Sequence, residues 1–314
     1  MIESSRFTNG KSGVRLDAAL AAFFTGSSRA LCREACDSGL VKVNSRPAPK
    51  GLKLRGGETI EVERLAETCD IRIRPNPRIE VACIFEDNDI LAFDKPPCQS
   101  VQPLSRTEDS TLMNGVAARW PECAEPYEDA TPLMGGAIHR IDAGTSGLVL
   151  AARNAAAYAS MRAQFSEQRV EKTYLALVEG RTAVGGTLEN DLVHDPSLPY
   201  CRMIDAARFR GGVRMPVPMH AVTNFKPIGW TQCGAEDRTL LEVKIFTGVT
   251  HQIRVQLALA GMHIVNDRLY GAFAVEDAKG HALHALSARF AHPSSGDECV
   301  ISTQWPRWAM EALG

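Results

Sequence analysis

The chain has 314 residues, of which 45% are apolar and 23% charged, a balance typical of a globular protein with one large domain and a small one. No apolar run approaches the ~20 residues that span a bilayer, and the amino terminus lacks a secretory pattern, so we expect a cytoplasmic protein. The nine cysteines include no Cys-x-x-Cys pair, and the eight histidines show no metal-ligand spacing. These patterns argue against a disulfide framework and against a bound metal.

The net charge of −2 is unevenly distributed along the chain. Residues 1–64 carry 11 Lys and Arg against 7 Asp and Glu, whereas the remaining residues carry 24 against 30. A basic amino-terminal unit on an acidic body indicates a polyanion held at one end of the molecule. An ordinary solvated surface explains this small excess nearly as well.

The amino-terminal unit combines two short helices with a small sheet. Apolar residues at helical spacing predict helices within residues 15–36, with the serine pair 27–28 as N-cap of the second helix and Gly39 after its end. Alternation of apolar and polar residues predicts strands at 41–44 and 59–62. Three basic side chains belong to this unit: Arg29, Arg33 and Lys42.

Four short segments of this unit carry a recognisable pattern. They are residues 15–17 (RLD), 28–29 (SR), 37–44 (DSGLVKVN) and 54–60 (LRGGETI). The pattern resembles the alpha-L RNA-binding module that is named for a small-subunit ribosomal protein. The resemblance implies that Arg29, Arg33 and Lys42 contact RNA phosphates, which would position the protein without reading base sequence. We therefore expect an RNA-binding domain over residues 1–64.

The remainder of the chain divides into a linker and a larger unit. Residues 65–80 mix charge with proline, show no helical period, and are predicted to be the linker. The larger unit, 81–314, opens with two strands within 81–96 that are joined by an acidic turn. A long polar connection follows over 98–136, with one helix near 111–120. Such a connection is either a functional loop or a surface insertion.

Residues 139–148 (HRIDAGTSGL) place polar and charged side chains between two apolar segments. Asp142 stands out there, because an unpaired buried charge costs roughly several kcal/mol. The carboxylate could accept hydrogen bonds from the amides of Gly144 and Thr145 in a turn. Alternatively, a cation from elsewhere in the chain holds it ionised in a cleft. These ten residues alone leave both interpretations open.

Two further elements follow this motif. Composition predicts a helix over 154–169 and a strand over 170–178, whose period of two sets Lys172 and Tyr174 on one face. Residues 181–238 contain glycines and prolines that predict short, interrupted strands. Four arginines of this region form either a nucleic-acid contact or an ordinary loop: Arg202, Arg208, Arg210 and Arg214.

A predicted strand over 240–246 leads into a helix over 251–261, with Thr250 as N-cap and Gly261 at its end. Arg254 lies near the end of the first turn of this helix among apolar neighbours, and the segment contains no acidic residue. An arginine in such surroundings needs a carboxylate from elsewhere. Asp142 is the predicted partner.

Three motifs carry the chemistry-bearing residues of the larger unit: 139–147, 171–174 and 251–254. Four shorter segments flank them, at 93–96, 267–271, 283–285 and 292–293. In this order they resemble the RluA-type family of RNA pseudouridine synthases. The resemblance implies an α+β fold in which a mixed, mainly antiparallel sheet carries a central active-site cleft, with 81–314 as the catalytic domain. It also implies isomerisation of uridine within RNA, without cofactor or metal, after the nucleotide is flipped into a closed pocket.

The resemblance assigns roles to individual residues. Asp142 would be the nucleophile or base at the ribose, with Arg254 as its counter-ion, and Tyr174 would stack on the base near C5. Arg140 would fill the gap left by the flipped nucleotide or bind phosphate. Pocket residues are expected at Ile253, Lys172 and Thr145.

We expect the substrate to be large-subunit ribosomal RNA, with transfer RNA as the alternative, and the enzyme to be a monomer. Two rivals come from other classes of protein. A non-catalytic RNA-binding protein could keep the fold, although Asp142, Tyr174 and Arg254 are all present. A glycoside hydrolase would need a second catalytic carboxylate about 5–10 Å away, and no nearby motif offers one.

Overall fold

The computed structural model describes residues 1–67, 71–125, 127, 133–197, 202–210, 215–233, 236–271 and 279–313. Two sheets organise these residues, and each sheet has its own hydrophobic core. Within the described part of the chain, no helix has the length and apolar character needed to cross a membrane.

The amino-terminal sheet has four antiparallel strands in the order β1-β4-β2-β3. The strands are β1 (Ile2–Thr8), β2 (Val41–Val43), β3 (Arg46–Pro47) and β4 (Thr59–Leu65). Helices α1 (Leu16–Phe23) and α2 (Arg29–Asp37) confirm the predicted helix pair, and Ser28 caps α2 by accepting from the Leu31 amide at 3.4 Å. The sequence did not predict β1, because its side chains alternate only weakly and most are exposed.

The segment predicted to be a linker contributes to both cores. Its first residue, Leu65, is buried at the end of β4 in the amino-terminal core. Ile71 belongs to the same core, whereas Ile73 is buried in the core of the large sheet. Burying these side chains fixes this stretch against both units. Residues 68–70 lie outside the described residues.

The large sheet has ten strands in the order β10-β9-β11-β12-β8-β13-β7-β6-β5, with β14 paired to β13. Its only parallel pair among the described strands joins β13 to β7. The prediction of a mixed, mainly antiparallel sheet is therefore confirmed. The strands are β5 (Cys83–Glu86), β6 (Ile90–Lys95), β7 (Ser146–Ala152), β8 (Glu171–Glu179), β9 (Gly186–His194), β10 (Met203–Asp205), β11 (Met219–Cys233), β12 (Glu236–Ile245), β13 (Leu283–Ala291) and β14 (Glu298–Ser302).

Among the described residues, four α-helices accompany this sheet, and three of them follow the predictions. They are α3 (Leu112–Arg119), α4 (Ala155–Ser166), α5 (Gln252–Leu259) and α6 (Arg307–Glu311). Gly261 follows α5 with φ +79°, as expected for a helix stop. The predicted cap at Thr250 is wrong, because His251 occupies the N-cap with a left-handed backbone, φ +55°. Helix α6 was not predicted.

Strand β11 corrects the prediction of short strands over 181–238. It runs for 15 residues, and its register against β12 shifts between Pro227 and Gly229. A bulge accommodates a proline that would otherwise interrupt the ladder. Of the four arginines in this region, Arg202 lies over the Tyr270 ring at 5.8 Å, and Arg214 is outside the described residues.

The sheet register sets two of the sequence motifs on either side of β13. Gly147 of β7 is opposite Ala285 of β13, and Ala285 is opposite Tyr174 of β8. Gly147 has φ +105°, and a Cβ there would lie 2.2 Å from the Ala285 carbonyl oxygen. Only glycine permits this close approach. The turn that carries Asp142 precedes β7 and is thereby held close to Tyr174, with only strand β13 between β7 and β8.

Candidate active site

A cavity of about 430 Å³ is lined by the segment before β7, the end of α4, strand β8 and the start of α5. A volume in this range suits a small ligand or a single extruded nucleotide. The structure brings to its wall every residue that the sequence assigned to the catalytic site and its pocket. These are Arg140, Asp142, Thr145, Lys172, Tyr174, Ile253 and Arg254.

Asp142 accepts a hydrogen bond from Arg254 Nη1 at 2.7 Å through Oδ2. The predicted pairing of these two residues is therefore confirmed. The Thr145 amide donates to the backbone carbonyl of Asp142 at 3.0 Å, so the backbone closes the turn and the side chain is left for the cation. The Asp142 side chain remains 26% exposed, which keeps a carboxylate oxygen within reach of a substrate.

Arg254 has a second carboxylate partner that sequence reasoning missed. Asp267 accepts hydrogen bonds from Nε at 2.7 Å and from Nη2 at 2.8 Å. Burial alone would lower the pKa of Arg254, but the bonds to Asp267 and the charge of Asp142 outweigh burial and raise it. The flanking segment 267–271 contained this aspartate, but nothing in the sequence indicated that it pairs with Arg254.

Tyr174 lies buried in the cavity wall next to the Asp142 turn. Burial, together with the charge of Asp142, raises the pKa of its phenol above the usual value near ~10. The hydroxyl therefore stays protonated at neutral pH. Its apolar ring offers a surface on which a base can stack.

Lys172 is buried on the same strand, and its Nζ donates to the Thr247 carbonyl at 2.7 Å. Burial lowers the pKa of this amine to about 8. The ammonium also lies 5.3 Å from the centre of the Phe165 ring. Lys172 therefore places a positive group on the cavity wall, and its amine titrates close to neutral pH.

Three histidines at or beside the site were not assigned a role by the sequence: His139, His251 and His281. His281 Nε2 bonds the Thr145 hydroxyl at 2.7 Å, and burial lowers its pKa to about 4, so the ring is neutral. It braces the turn that presents Asp142. His251 bonds the Tyr270 hydroxyl through Nδ1 at 3.0 Å, and its Nε2 lies 3.8 Å from Asp142 Oδ2.

The remaining pocket residues differ in their accessibility. Ile253 is buried and supplies an apolar wall beside Arg254. Arg140 is exposed at the rim, immediately before the turn of Asp142. A charged side chain at that position can meet the phosphate backbone of a bound nucleic acid.

The amino-terminal unit gathers two of its three predicted RNA contacts around a buried aspartate. Asp17, with a side chain 0% exposed, accepts hydrogen bonds from Arg29 Nε at 3.1 Å and from Arg33 Nε at 2.8 Å. Arg15 joins them at 3.1 Å. Burial alone would raise the pKa of Asp17, but these bonds hold it well below the usual range. Lys42 lies apart on β2, opposite Pro47 and Glu61 in the neighbouring strands.

One group of ligand-type side chains lies outside the cavity, at the β5–β6 turn. Asp87 Oδ2 bonds His292 Nε2 at 2.9 Å, and Asp89 bonds the Ser294 hydroxyl and the Asn154 amide. These bonds tie the turn to the segment after β13 and to the start of α4.

Comparison with known proteins identifies the class of enzyme. Residues 89–259 match the family model described as RNA pseudouridylate synthase. The chain is 33% identical over 308 residues to a ribosomal large subunit pseudouridine synthase D of Xanthomonas campestris, covering 94% of this chain and 86% of the relative. It is 29% identical to the protein of the same name from Haemophilus ducreyi, covering 91% and 86%.

Solved structures share the fold. The human RNA pseudouridylate synthase domain containing 1 superposes with a TM-score of 0.58 at 23% identity, covering 74% of this chain and 86% of that one. The human domain containing 4 gives 0.52 at 17% identity, covering 74% and 91%. The chain belongs to the RluA-type family of RNA pseudouridine synthases. It is therefore an isomerase that converts uridine in RNA to pseudouridine.

Proposed function

We propose that this enzyme isomerises uridines of large-subunit ribosomal RNA, with Asp142 as the carboxylate that acts at the ribose. The names of the relatives from Xanthomonas campestris and Haemophilus ducreyi support the ribosomal substrate. The alternative of transfer RNA draws no support from these names. The observation that carries the role of Asp142 is its hydrogen bond to Arg254 at the wall of the cavity.

The isomerisation exchanges one bond to the ribose for another. The C1′–N1 bond breaks, the uracil turns in the pocket, and a C1′–C5 bond forms. The proton on C5 then leaves, and N1 gains a proton, so atoms and charge balance without an added reactant. The free uracil must be retained between these steps, and a cavity of about 430 Å³ has room for it to turn.

Each wall residue has a task in this scheme. Arg254 pairs with Asp142 and fixes its rotamer, so that the carboxylate meets the ribose as nucleophile or base. Tyr174, whose phenol stays protonated, supports the base by stacking on its face. Lys172 and Ile253 complete the wall with a cation and an apolar surface, and Thr145 anchors the Asp142 turn through His281.

The amino-terminal unit serves as an RNA anchor in this proposal. We assign residues 1–64 to RNA binding, 65–80 to the connection and 81–314 to catalysis. In this proposal Arg29 and Arg33, one turn apart on α2, contact successive phosphates, with Lys42 on the neighbouring sheet. A ribosomal substrate favours the cytoplasm, and we propose that the enzyme acts as a monomer.

The test is a pseudouridine map of ribosomal RNA by carbodiimide-adduct primer extension. A strain lacking the gene should lose pseudouridine at one or a few fixed positions of the large-subunit RNA. The wild-type gene should restore these positions, and Asp142→Asn should not. An unchanged map in the deletion strain would overturn the ribosomal assignment and direct the same assay to transfer RNA.

A further inference from the structure

Asp267 lies on the side of Arg254 that faces away from Asp142. Its side chain is 1% exposed. Besides the two bonds from Arg254, its Oδ1 accepts the amides of Leu269 at 3.1 Å and Tyr270 at 3.3 Å. Burial alone would raise the pKa of Asp267, but the bonds and charge of Arg254 outweigh it and lower the pKa. Asp267 is thus a fixed, ionised carboxylate.

This contact determines how Arg254 meets Asp142. A guanidinium binds a carboxylate most strongly by presenting two parallel N–H groups along one edge. Asp267 occupies the Nε–Nη2 edge, so Nη1 is the group that reaches Asp142, through a single bond at 2.7 Å. Arg254 bonds Oδ2 of Asp142, and the charge of the guanidinium is shared between two anions.

We propose that Asp267 is a positioning residue for pseudouridine formation. It holds Arg254 so that one N–H orients Asp142 while the other carboxylate oxygen stays available to the ribose. Without Asp267, the guanidinium turns and clamps Asp142 along a full edge, which misplaces the carboxylate and weakens it as a nucleophile or base. This inference rests on the proposed role of Asp142.

The chain offers a matched control for a purely structural role. Asp87 also accepts hydrogen bonds from two backbone amides, those of Asp89 and Ile90, both at 2.8 Å. It also hydrogen-bonds a basic side chain, that of His292. It lies at the β5–β6 turn, outside the cavity. Asp87→Asn therefore measures the cost of losing such a carboxylate without touching Arg254.

The experiment uses full-length protein and a large-subunit ribosomal transcript tritiated at uridine C5, since each turnover releases that hydrogen. Asp267→Asn should lower kcat by about 10²-fold while RNA affinity changes by less than about threefold. Asp87→Asn should leave kcat unchanged. In an Arg254→Lys background, which lacks the two-edged guanidinium, Asp267→Asn should cost less than about threefold further, because the two substitutions remove one interaction. A kcat that Asp267→Asn leaves within about threefold of wild type, or an equal loss in both backgrounds, would overturn the proposal.

A second measurement tests the restraint on Arg254 even if the Asp267→Asn variant does not fold. Nitrogen-15 NMR of wild-type protein without RNA should show separate, slowly exchanging Nη signals for Arg254, because both edges are held. One averaged Nη signal would contradict the restraint. This measurement needs no turnover, so it tests the restraint on Arg254 alone. Failure of the proposed role of Asp142 would instead be revealed by turnover in the Asp142→Asn variant.

Discussion

Two ionic clusters in this protein have opposite stoichiometry. In the amino-terminal unit, one buried carboxylate, Asp17, holds three arginines whose side chains are 44–48% exposed. At the cavity, one guanidinium, that of Arg254, holds Asp142 and Asp267 and is itself only 9% exposed. The first cluster therefore leaves two positive charges at the surface, and the second leaves one negative charge at the cavity wall.

The difference shows that two properties decide what such a cluster does. They are the sign of its excess charge and the exposure of the side chains that carry this charge. Exposed guanidiniums in excess attract phosphates from solution, and salt screens that attraction. A buried cation between two carboxylates attracts no phosphate, because its charge is already neutralised. It restrains the partly accessible anion beside it, and salt has little effect there.

Apart from loss of Asp142 itself, the largest effect should come from removing the cation at the cavity. Arg254→Gln leaves two carboxylates without a counter-ion, and breaking a buried pair costs about 3–5 kcal/mol. We expect kcat in the tritium-release assay to fall about 10²- to 10³-fold at unchanged RNA affinity. The matched control is Arg153→Gln, since Arg153 also bridges two carboxylates, Glu86 and Glu122, but outside the cavity. A similar loss of kcat in the control would contradict a specific role of Arg254.

Removing the anion of the other cluster should affect stability and leave chemistry intact. Asp17→Asn should lower the free energy of unfolding by about 2 kcal/mol, less than for a fully buried pair because the arginines can turn to water. At saturating RNA, kcat should stay within about twofold of wild type. Chemical denaturation and the tritium-release assay measure the two quantities.

The pH dependence of this stability difference follows from the depressed pKa of Asp17. Its ionised form stabilises the folded state above the unfolded-state pKa near ~3.9, and that contribution is lost as pH falls toward the lower folded-state value. The gap between wild type and Asp17→Asn should be constant from pH 7 to about pH 5 and shrink in more acidic solution. A gap that widens with acid would contradict the assignment.

The smallest effect should come from one exposed arginine. Arg33→Gln should weaken RNA binding a few-fold and reduce the slope of log affinity against log salt by about 1, because one phosphate contact is lost. Arg289→Gln is the control: Arg289 is equally exposed, at 50%, and pairs with Glu298 on the large sheet. Equal salt slopes for Arg33→Gln and wild type would exclude a phosphate contact there.

The sequence predicted the partner of Arg254 because an arginine among apolar residues requires a carboxylate, and the Asp142 motif supplied one. It could not predict Asp267 as the second partner. A guanidinium has two edges, and only the fold shows which groups reach each edge. Likewise, the pattern that contains Asp17 indicated RNA contacts but not that this carboxylate is buried beneath its arginines.

Backbone elements were predictable where the apolar period was strong. The helix pair α1 and α2 followed from spacing and a serine cap. Strand β11 did not, because Pro227 and Gly229 read locally as strand breakers. A register shift against β12 absorbs both residues, and such a shift depends on the partner strand, which local sequence does not specify.

The most direct test of the account is to separate turnover from RNA binding in Asp142→Asn. This substitution keeps the size of the side chain and an acceptor for Arg254 while removing the negative charge of the carboxylate. Tritium release from the C5-labelled ribosomal transcript should fall at least about 10⁴-fold, with RNA affinity within about threefold of wild type. Turnover within about tenfold of wild type would contradict the claim that Asp142 acts at the ribose.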